Sequence, residues 1–345
     1  MQQLDHKEYK GGSGKKINEI KKIFTGFTKK QPGLEWTNKL SSRVYQNSFA
    51  SLKNAFTRWH KGLGKYPQFK RKKDKRSFTV DSSNGKVLLE AGKKIKIPTL
   101  GTFRLKESLP CPYVTQTFTI SQTAEKWFVS FSVDAQRLPP LIHEAAAPVG
   151  VDLGVKCFAT LSDGSKYIAP QPYRKAKTKL GKQQWRNRNK VLGNRKQGIK
   201  ASNNAKKHYA KLAKTHSHIA NIRKDFLHKT TTELAKKYAV LHIEDLNTSG
   251  MIANHKLASA ISDLGFYEFR QQLGYKQKHY GNRVMLVDRW YPSSKTCHKC
   301  ANVQPMPLNE RTYECCNCGH VVDRDLNAAL NLASVPISKL KPLEP

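Results

Sequence analysis

Four cysteines in the order Cys297-x2-Cys300-x14-Cys315-x2-Cys318 constrain this chain more tightly than any other feature of its sequence. Each C-x2-C pair sets two sulfurs on one side of a tetrahedral ion, so two pairs wrap one Zn2+ and organise the short segment around it. Cys316 is a spare that could replace Cys315 only by shortening its knuckle to one intervening residue, and Cys111 and Cys157 stand alone. Five of the seven cysteines therefore gather at one metal site. The expectation is a reducing cytoplasm, with no signal peptide and no disulfide framework.

Charge sets the partner class. Sixty-two Lys and Arg against twenty-five Asp and Glu leave a net +37, far more than solubility requires, and such a field favours a polyanion. A single basic run is often only a solvated face. Here, however, residues 172–229 hold eighteen Lys and Arg against one acid, Asp225, and Lys65–Arg76 holds seven against Asp74. Two separated tracts suit a groove that follows a phosphate backbone. No apolar run approaches the ~20 residues of a membrane span, so no membrane partner is expected.

The pattern changes along the chain. Residues 15–64 read as helical, with Phe49, Leu52, Phe56 and Trp59 on one apolar stripe. From Ser77 to Asp134 the period becomes two, in short runs such as Lys94–Ile97, Thr115–Ile120 and Trp127–Val133, and predicts an antiparallel β-barrel or sandwich. A Pro- and Ala-rich linker follows. Tyr173–Tyr238 reads as two helices broken between Gly193 and Asn204, with basic faces able to grip phosphates. The histidines, His242 and His279 among them, show no ligand pairing.

Three carboxylates sit where a hydrolytic site could form. Asp152 lies in the strand Val149–Val155, with Gly150 and Gly154 on its own face, which would leave open space for a metal ion and a phosphodiester. Glu244 ends the apolar strand Ala239–Glu244, a position where active sites of α/β sheets gather. Asp325 opens a helix expected to pack through Leu326, Ala329 and Leu330, although Asp at a helix start can also serve only as an N-cap. Asp323 competes for this third place but lies in the approach to the helix. Strand Asp, strand Glu and helix-start Asp, in that order on a mixed α/β pattern, are what an RNase H-like nuclease needs to hold two Mg2+ ions.

The run Val149–Gly154, the block Arg223–Lys229, the strand Ile243–Leu246 and the stretch from Tyr291-Pro292-Ser293-Ser294-Lys295-Thr296-Cys297 to Asn331 resemble the TnpB family over nearly the whole chain. These are RNA-guided endonucleases of insertion sequences, similar to compact type V CRISPR effectors. The resemblance implies a multidomain α+β and α/β protein: a helical recognition lobe (1–76), a wedge-type β-barrel that holds guide RNA (77–138) and a linker (139–148). A RuvC nuclease domain (149–290) with its basic hairpin (172–238) would follow, then an inserted zinc ribbon (291–322) and the last RuvC helix and tail (323–345). Asp152, Glu244 and Asp325 match the family's catalytic carboxylates, and Cys297, Cys300, Cys315 and Cys318 its zinc ligands. The implied partners are a guide RNA from the element's end and a double-stranded DNA target. The implied setting is the prokaryotic cytoplasm, at the nucleoid. Two departures stand out: the resembling proteins carry a few dozen residues before the position of Met1, and Ala301 replaces their usual Gly. A transposase joining DNA ends, or a non-catalytic RNA- or DNA-binding regulator, would use the same features differently.

Overall fold

The computed structural model describes residues 13–69, 76–81, 88–89, 92–108, 117–131, 147–194, 197–307 and 309–343, in two units, Met1–Ala135 and Gln136–Pro345. Cys111 and most of the expected linker lie outside the described residues.

In the first unit, α1 (Ser13–Gly26) meets α2 (Ser42–His60) through Phe24, whose ring lies 5.7 Å from Phe49 and 5.5 Å from Tyr45. The Ser41 hydroxyl accepts the Arg43 amide and so starts α2. Of the expected apolar stripe only Phe49 is buried; Phe56 and Trp59 are half-buried and close edge-on over Tyr66. Among the described residues the strands β1 (Arg76–Asp81), β2 (Leu88–Leu89), β3 (Lys94–Ile97), β4 (Gly101–Arg104), β5 (Thr117–Thr123) and β6 (Lys126–Phe131) follow.

These strands form two antiparallel three-stranded sheets, β1-β5-β6 and β2-β3-β4. Val80, Ile95, Ile97, Phe118 and Ile120 make one core from both sheets, with Val44 of α2 packed against it. The expected barrel is therefore not closed among the described residues: the sheets share apolar side chains but no hydrogen-bonded ladder. Ala124 and Glu125, both with positive φ (46° and 71°), form the two-residue turn that ties Thr123 to Lys126.

The second unit is built on β7 (Val149–Leu153), β8 (Ala159–Leu161), β9 (Lys166–Tyr167), α3 (Pro172–Arg186), α4 (Asn203–Lys237), β10 (Val240–Glu244), α5 (Thr248–Ala253), α6 (Ala258–Leu264), α7 (Phe266–Tyr280), β11 (Arg283–Val287), β12 (Thr312–Glu314), β13 (Val321–Asp323), α8 (Arg324–Ala333) and β14 (Lys341–Pro342). The main sheet has the order β14-β11-β10-β7-β8-β9. β7, β10 and β11 run parallel, while β8, β9 and β14 are antiparallel to their neighbours. Parallel neighbours require crossovers, and α3–α4 and α5–α7 supply them.

One face of this sheet carries the main core, where Phe158 meets the rings of Phe226, Phe266 and Phe269 at 5.1–5.5 Å and Leu227, Leu234 and Leu273 are fully buried. Between α4 and α7 the Lys276 ammonium is buried, donating to the His228 carbonyl and to the hydroxyls of Thr231 and Thr232 at 2.6–2.8 Å. Burial pushes its pKa down to about 8. The start of α3 is capped from far along the chain: the buried Asp263 carboxylate accepts the Tyr173 and Arg174 amides, both at 3.0 Å.

α8 covers the other face and fills the space that Gly150 was expected to leave open, while a Cβ on Gly154 would meet the Cys157 carbonyl. A Cβ on Gly150 would lie 2.0 Å from the Ala329 carbonyl and 2.6 Å from the Ala333 amide. Gly150 thus permits helix–strand contact rather than ligand entry. The packing face of α8 also differs from expectation. Ala328, Ala329 and Leu332 are buried together with Asn327 and Asn331, whereas Leu326 and Leu330 are only half-buried. Small residues let the helix axis approach the strand.

Candidate active site and metal centre

Two strand ends and one helix start converge on a cleft of about 590 Å3. Asp152 comes from β7, Glu244 from the end of β10 and Asp325 from the first turn of α8, and all three line it. β7 and β10 are adjacent and parallel, pairing Val151 with Ile243, so both carboxylates fall at the same end of the sheet. The sequence order therefore becomes a spatial cluster.

Electrostatics within the cluster are only partly compensated: burial and the neighbouring carboxylates raise the Asp152 pKa, and the charge of Arg324 lowers it. Burial pushes the Asp152 carboxyl up to about 7, with further upward pushes from the charges of Asp325 and Glu244. Glu244 is raised as well, first by burial and then by Asp245. Carboxyls raised by burial and by neighbouring acids are a condition that a divalent cation would relieve. The Arg311 guanidinium pairs with Asp325 at 3.8 Å.

Two further acids beside the cleft have other partners. Asp323 is the N-cap of α8, accepting the Asp325 and Leu326 amides at 3.0 and 3.1 Å, and it also pairs with Lys166 at 3.0 Å. Its pKa falls below the usual range because those hydrogen bonds outweigh its burial. Asp245, next to Glu244, is held between Arg270 and Arg289, which lower its pKa in the same way. Sequence reasoning missed the Asp245–Arg270–Arg289 group, since its members are far apart in the chain.

The cysteine cluster is equally local in its construction. The Sγ atoms of Cys297, Cys300, Cys315 and Cys318 lie within 4.8 Å of one another, with Cys297–Cys318 at 3.7 Å and Cys300–Cys315 at 3.5 Å. Four thiolates around one tetrahedral Zn2+ at ~2.3 Å would stand ~3.8 Å apart, so the set fits the ion. The knuckles repeat one design: the Ala301 amide donates to Cys297 O and the Gly319 amide to Cys315 O, both at 2.9 Å. Ala301 and Gly319 both take positive φ, 58° and 65°. Cys316 is exposed and lies outside the cluster, with its sulfur accepting from Asn302.

Two asparagines on α8 join this cluster to the cleft. Asn331 Nδ2 donates to the carbonyls of Ser293 and Thr296, while Asn327 Nδ2 donates to the Thr296 carbonyl and its Oδ1 accepts the His298 amide. Sequence reasoning missed both. Their signal is nevertheless present: two Asn at i, i+4 on an otherwise apolar helix face.

Comparison with known proteins places the chain in context. Residues 130–255 match the family model described as "Probable transposase", of OrfB IS605 type, and residues 266–332 match that of the Cas12f1-like TNB domain. A provisionally named RNA-guided DNA endonuclease of Streptomyces pristinaespiralis is 34% identical over 90% of this chain and 75% of its own. Another, InsQ of Escherichia coli K12, is 31% identical over 86% and 75%. Among solved structures, a cryo-EM structure of a Cas12f1–sgRNA–target DNA complex aligns over 95% of this chain and 80% of its own, with a TM-score of 0.52 at 16% identity, a likeness of fold.

Proposed function

The chain belongs to the TnpB family, and from that premise we propose that it is an RNA-guided DNA endonuclease whose active carboxylates are Asp152, Glu244 and Asp325. The observation that carries this reading is the convergence of the three carboxylates in one cleft, with two of them raised in pKa by burial and like charge. The flanking order β9-β8-β7-β10-β11, antiparallel on one side and parallel on the other, supports an RNase H-like RuvC domain.

Oxygen donors of this kind suit hard Mg2+. Two such ions, when bound, supply an activated water and stabilise the leaving oxygen of the phosphodiester. Asp152, central in the cluster, would contact both ions, and Glu244 and Asp325 would each help to hold one. Asp323 keeps α8 capped, so that Asp325 stays aimed at the cleft. Arg270 and Arg289 pair with Asp245, while Glu244, at the end of β10, lines the cleft. Cys297, Cys300, Cys315 and Cys318 would hold a structural Zn2+.

In this reading the wider molecule grips nucleic acid by charge. Residues 1–76 act as a recognition lobe and 77–138 as the wedge region for guide RNA, while 172–238 is a basic arm of the nuclease domain. The zinc module 291–322 then sits against the target strand. Base pairing by the guide selects the DNA, and the protein reads backbone shape and a short flanking motif.

The test is to co-express the chain with the DNA flanking its gene, sequence the RNA that stays bound, and supply that complex with Mg2+ and a matching DNA library. Defined RNA with cleavage abolished in Asp152→Ala is expected. Guided cleavage that survives Asp152→Ala would refute the carboxylate assignment. The transposase description of the matched family model favours a second reading, end joining by the same site, and strand-transfer products formed without RNA would select it.

A further inference from the structure

On the rim of the carboxylate cleft stands a tryptophan that the fold does not use. Trp290 lines the same cavity as Asp152, Glu244 and Asp325, yet its side chain is 85% exposed. Among the described residues its indole meets no other ring and no cation, in contrast to Trp185, also exposed, which lies under the Arg188 guanidinium at 4.6 Å. An aromatic of this size normally gains its stabilisation from burial. Left bare at a cleft, it is a surface held ready for a partner.

The backbone beneath Trp290 is fixed. The Asp288 carboxylate accepts the Trp290 amide at 2.9 Å and the Asp288 carbonyl accepts the Tyr291 amide at 3.0 Å, a turn closed on both levels. Tyr291 then packs against the cluster of Val287, Leu332, Val335 and Leu340, and the ring of Pro292 stiffens the backbone on its far side. The indole is thus presented from a rigid turn rather than from a mobile loop.

From this placement we infer that Trp290 is a stacking platform for one base of a single-stranded DNA segment entering the cleft. The inference rests on the nuclease reading for the nature of the substrate. Cleft-lining Lys156, Lys295 and Arg311 can meet phosphates, but charge alone cannot seat a nucleotide at a fixed distance from the carboxylates. An indole face can, because every base offers a π-face and stacking tolerates any sequence. A duplex hides those faces inside its own stack. The platform therefore selects unpaired strand over duplex, and it sets the register of the strand along the cleft.

The experiment uses the full chain with Ca2+, titrated with labelled dT15, with an abasic deoxyribose-phosphate 15-mer and with a 15-base-pair duplex, for the wild type, Trp290→Ala, Trp290→Phe and Trp185→Ala. Wild type is expected to prefer dT15 over the abasic strand by about tenfold, from one stacked base. Trp290→Ala should lose most of that preference, Trp290→Phe should keep most of it, and Trp185→Ala should behave as wild type. Affinity for the duplex and for the abasic strand should not change in any variant. An unaltered preference in Trp290→Ala, or an equal loss for all three ligands, overturns the proposal. Because no cleavage is scored, these outcomes are distinct from failure of the carboxylate assignment, which Asp152→Ala tests. Unchanged melting temperatures of the variants, expected from an exposed ring, exclude misfolding as the cause.

Discussion

A single carboxyl shows what the proposed site costs in stability. Asp152 titrates near 3.8 in an unfolded chain and at about 7 in the fold, because burial and the charges of Asp325 and Glu244 disfavour its ionised form. Between those values the folded state keeps a proton that the unfolded state releases. Stability of the metal-free protein therefore falls as pH rises from about 4 to about 7. Asp152→Asn removes the effect, and its melting curve at pH 8 should reveal a gain on the order of 4 kcal/mol over wild type that vanishes towards pH 4. Mg2+ should then stabilise wild type and leave the variant unmoved; a Mg2+ shift of equal size in both would deny Asp152 a place at the metals. At the first cysteine knuckle, Ala301 is held at a positive φ that Gly319 adopts without strain in the second. Ala301→Gly should accordingly raise stability by about 1 kcal/mol without altering zinc stoichiometry, as read by thermal unfolding of the zinc-loaded protein.

Elements turn these residues into a site, and here the sequence is only partly legible. Asp152 and Glu244 can be placed because apolar strands ending in acids have a period and a direction, and the cysteine set because its spacing is rigid. Gly150 misleads: a bare strand face reads alike whether a ligand or a helix backbone fills it, and only the approach of α8 decides. Leu326 and Leu330 mislead for a related reason, since α8 presents its small residues and its two asparagines inward to reach β7 and the first knuckle. That close contact makes a sharp prediction. Gly150→Ala sets a methyl group 2.0 Å from the Ala329 carbonyl, and backbone cannot yield as a side-chain tip would. A loss of about 3 kcal/mol is expected in denaturant unfolding, with Mg2+ binding weakened because α8 carries Asp325. A neutral result would mean that α8 stands off from β7. The asparagine bridges carry a second consequence: stripping zinc from the cluster should speed amide exchange at the start of α8, while the strands β10 and β11 keep their protection.

At the scale of the whole molecule, charge rather than packing decides what the chain holds. A net +37 is distributed so that α3 and the first half of α4 turn Lys175, Lys177, Lys179, Lys182, Lys206 and Lys207 to solvent. The interior of the same pair is apolar or capped, through Leu180, Ala205 and the Asp263 carboxylate. The arm is thus anchored at its base and basic along its exposed faces, a design that would suit phosphates and not base edges. Counterion release then fixes the behaviour. Binding of RNA that contacts six or more phosphates should weaken by about 1,000-fold or more between 50 and 200 mM salt. Neutralising Lys175, Lys179 and Lys182 together to Gln should lower the slope of log K against log salt by about 2, with little change in fold because all three are exposed. If affinity dropped with no change in slope, the three lysines would be acting through structure and not through phosphate contact. If neither changed, the arm would lie outside the nucleic-acid path, and the basic residues of the first unit would have to carry the guide instead.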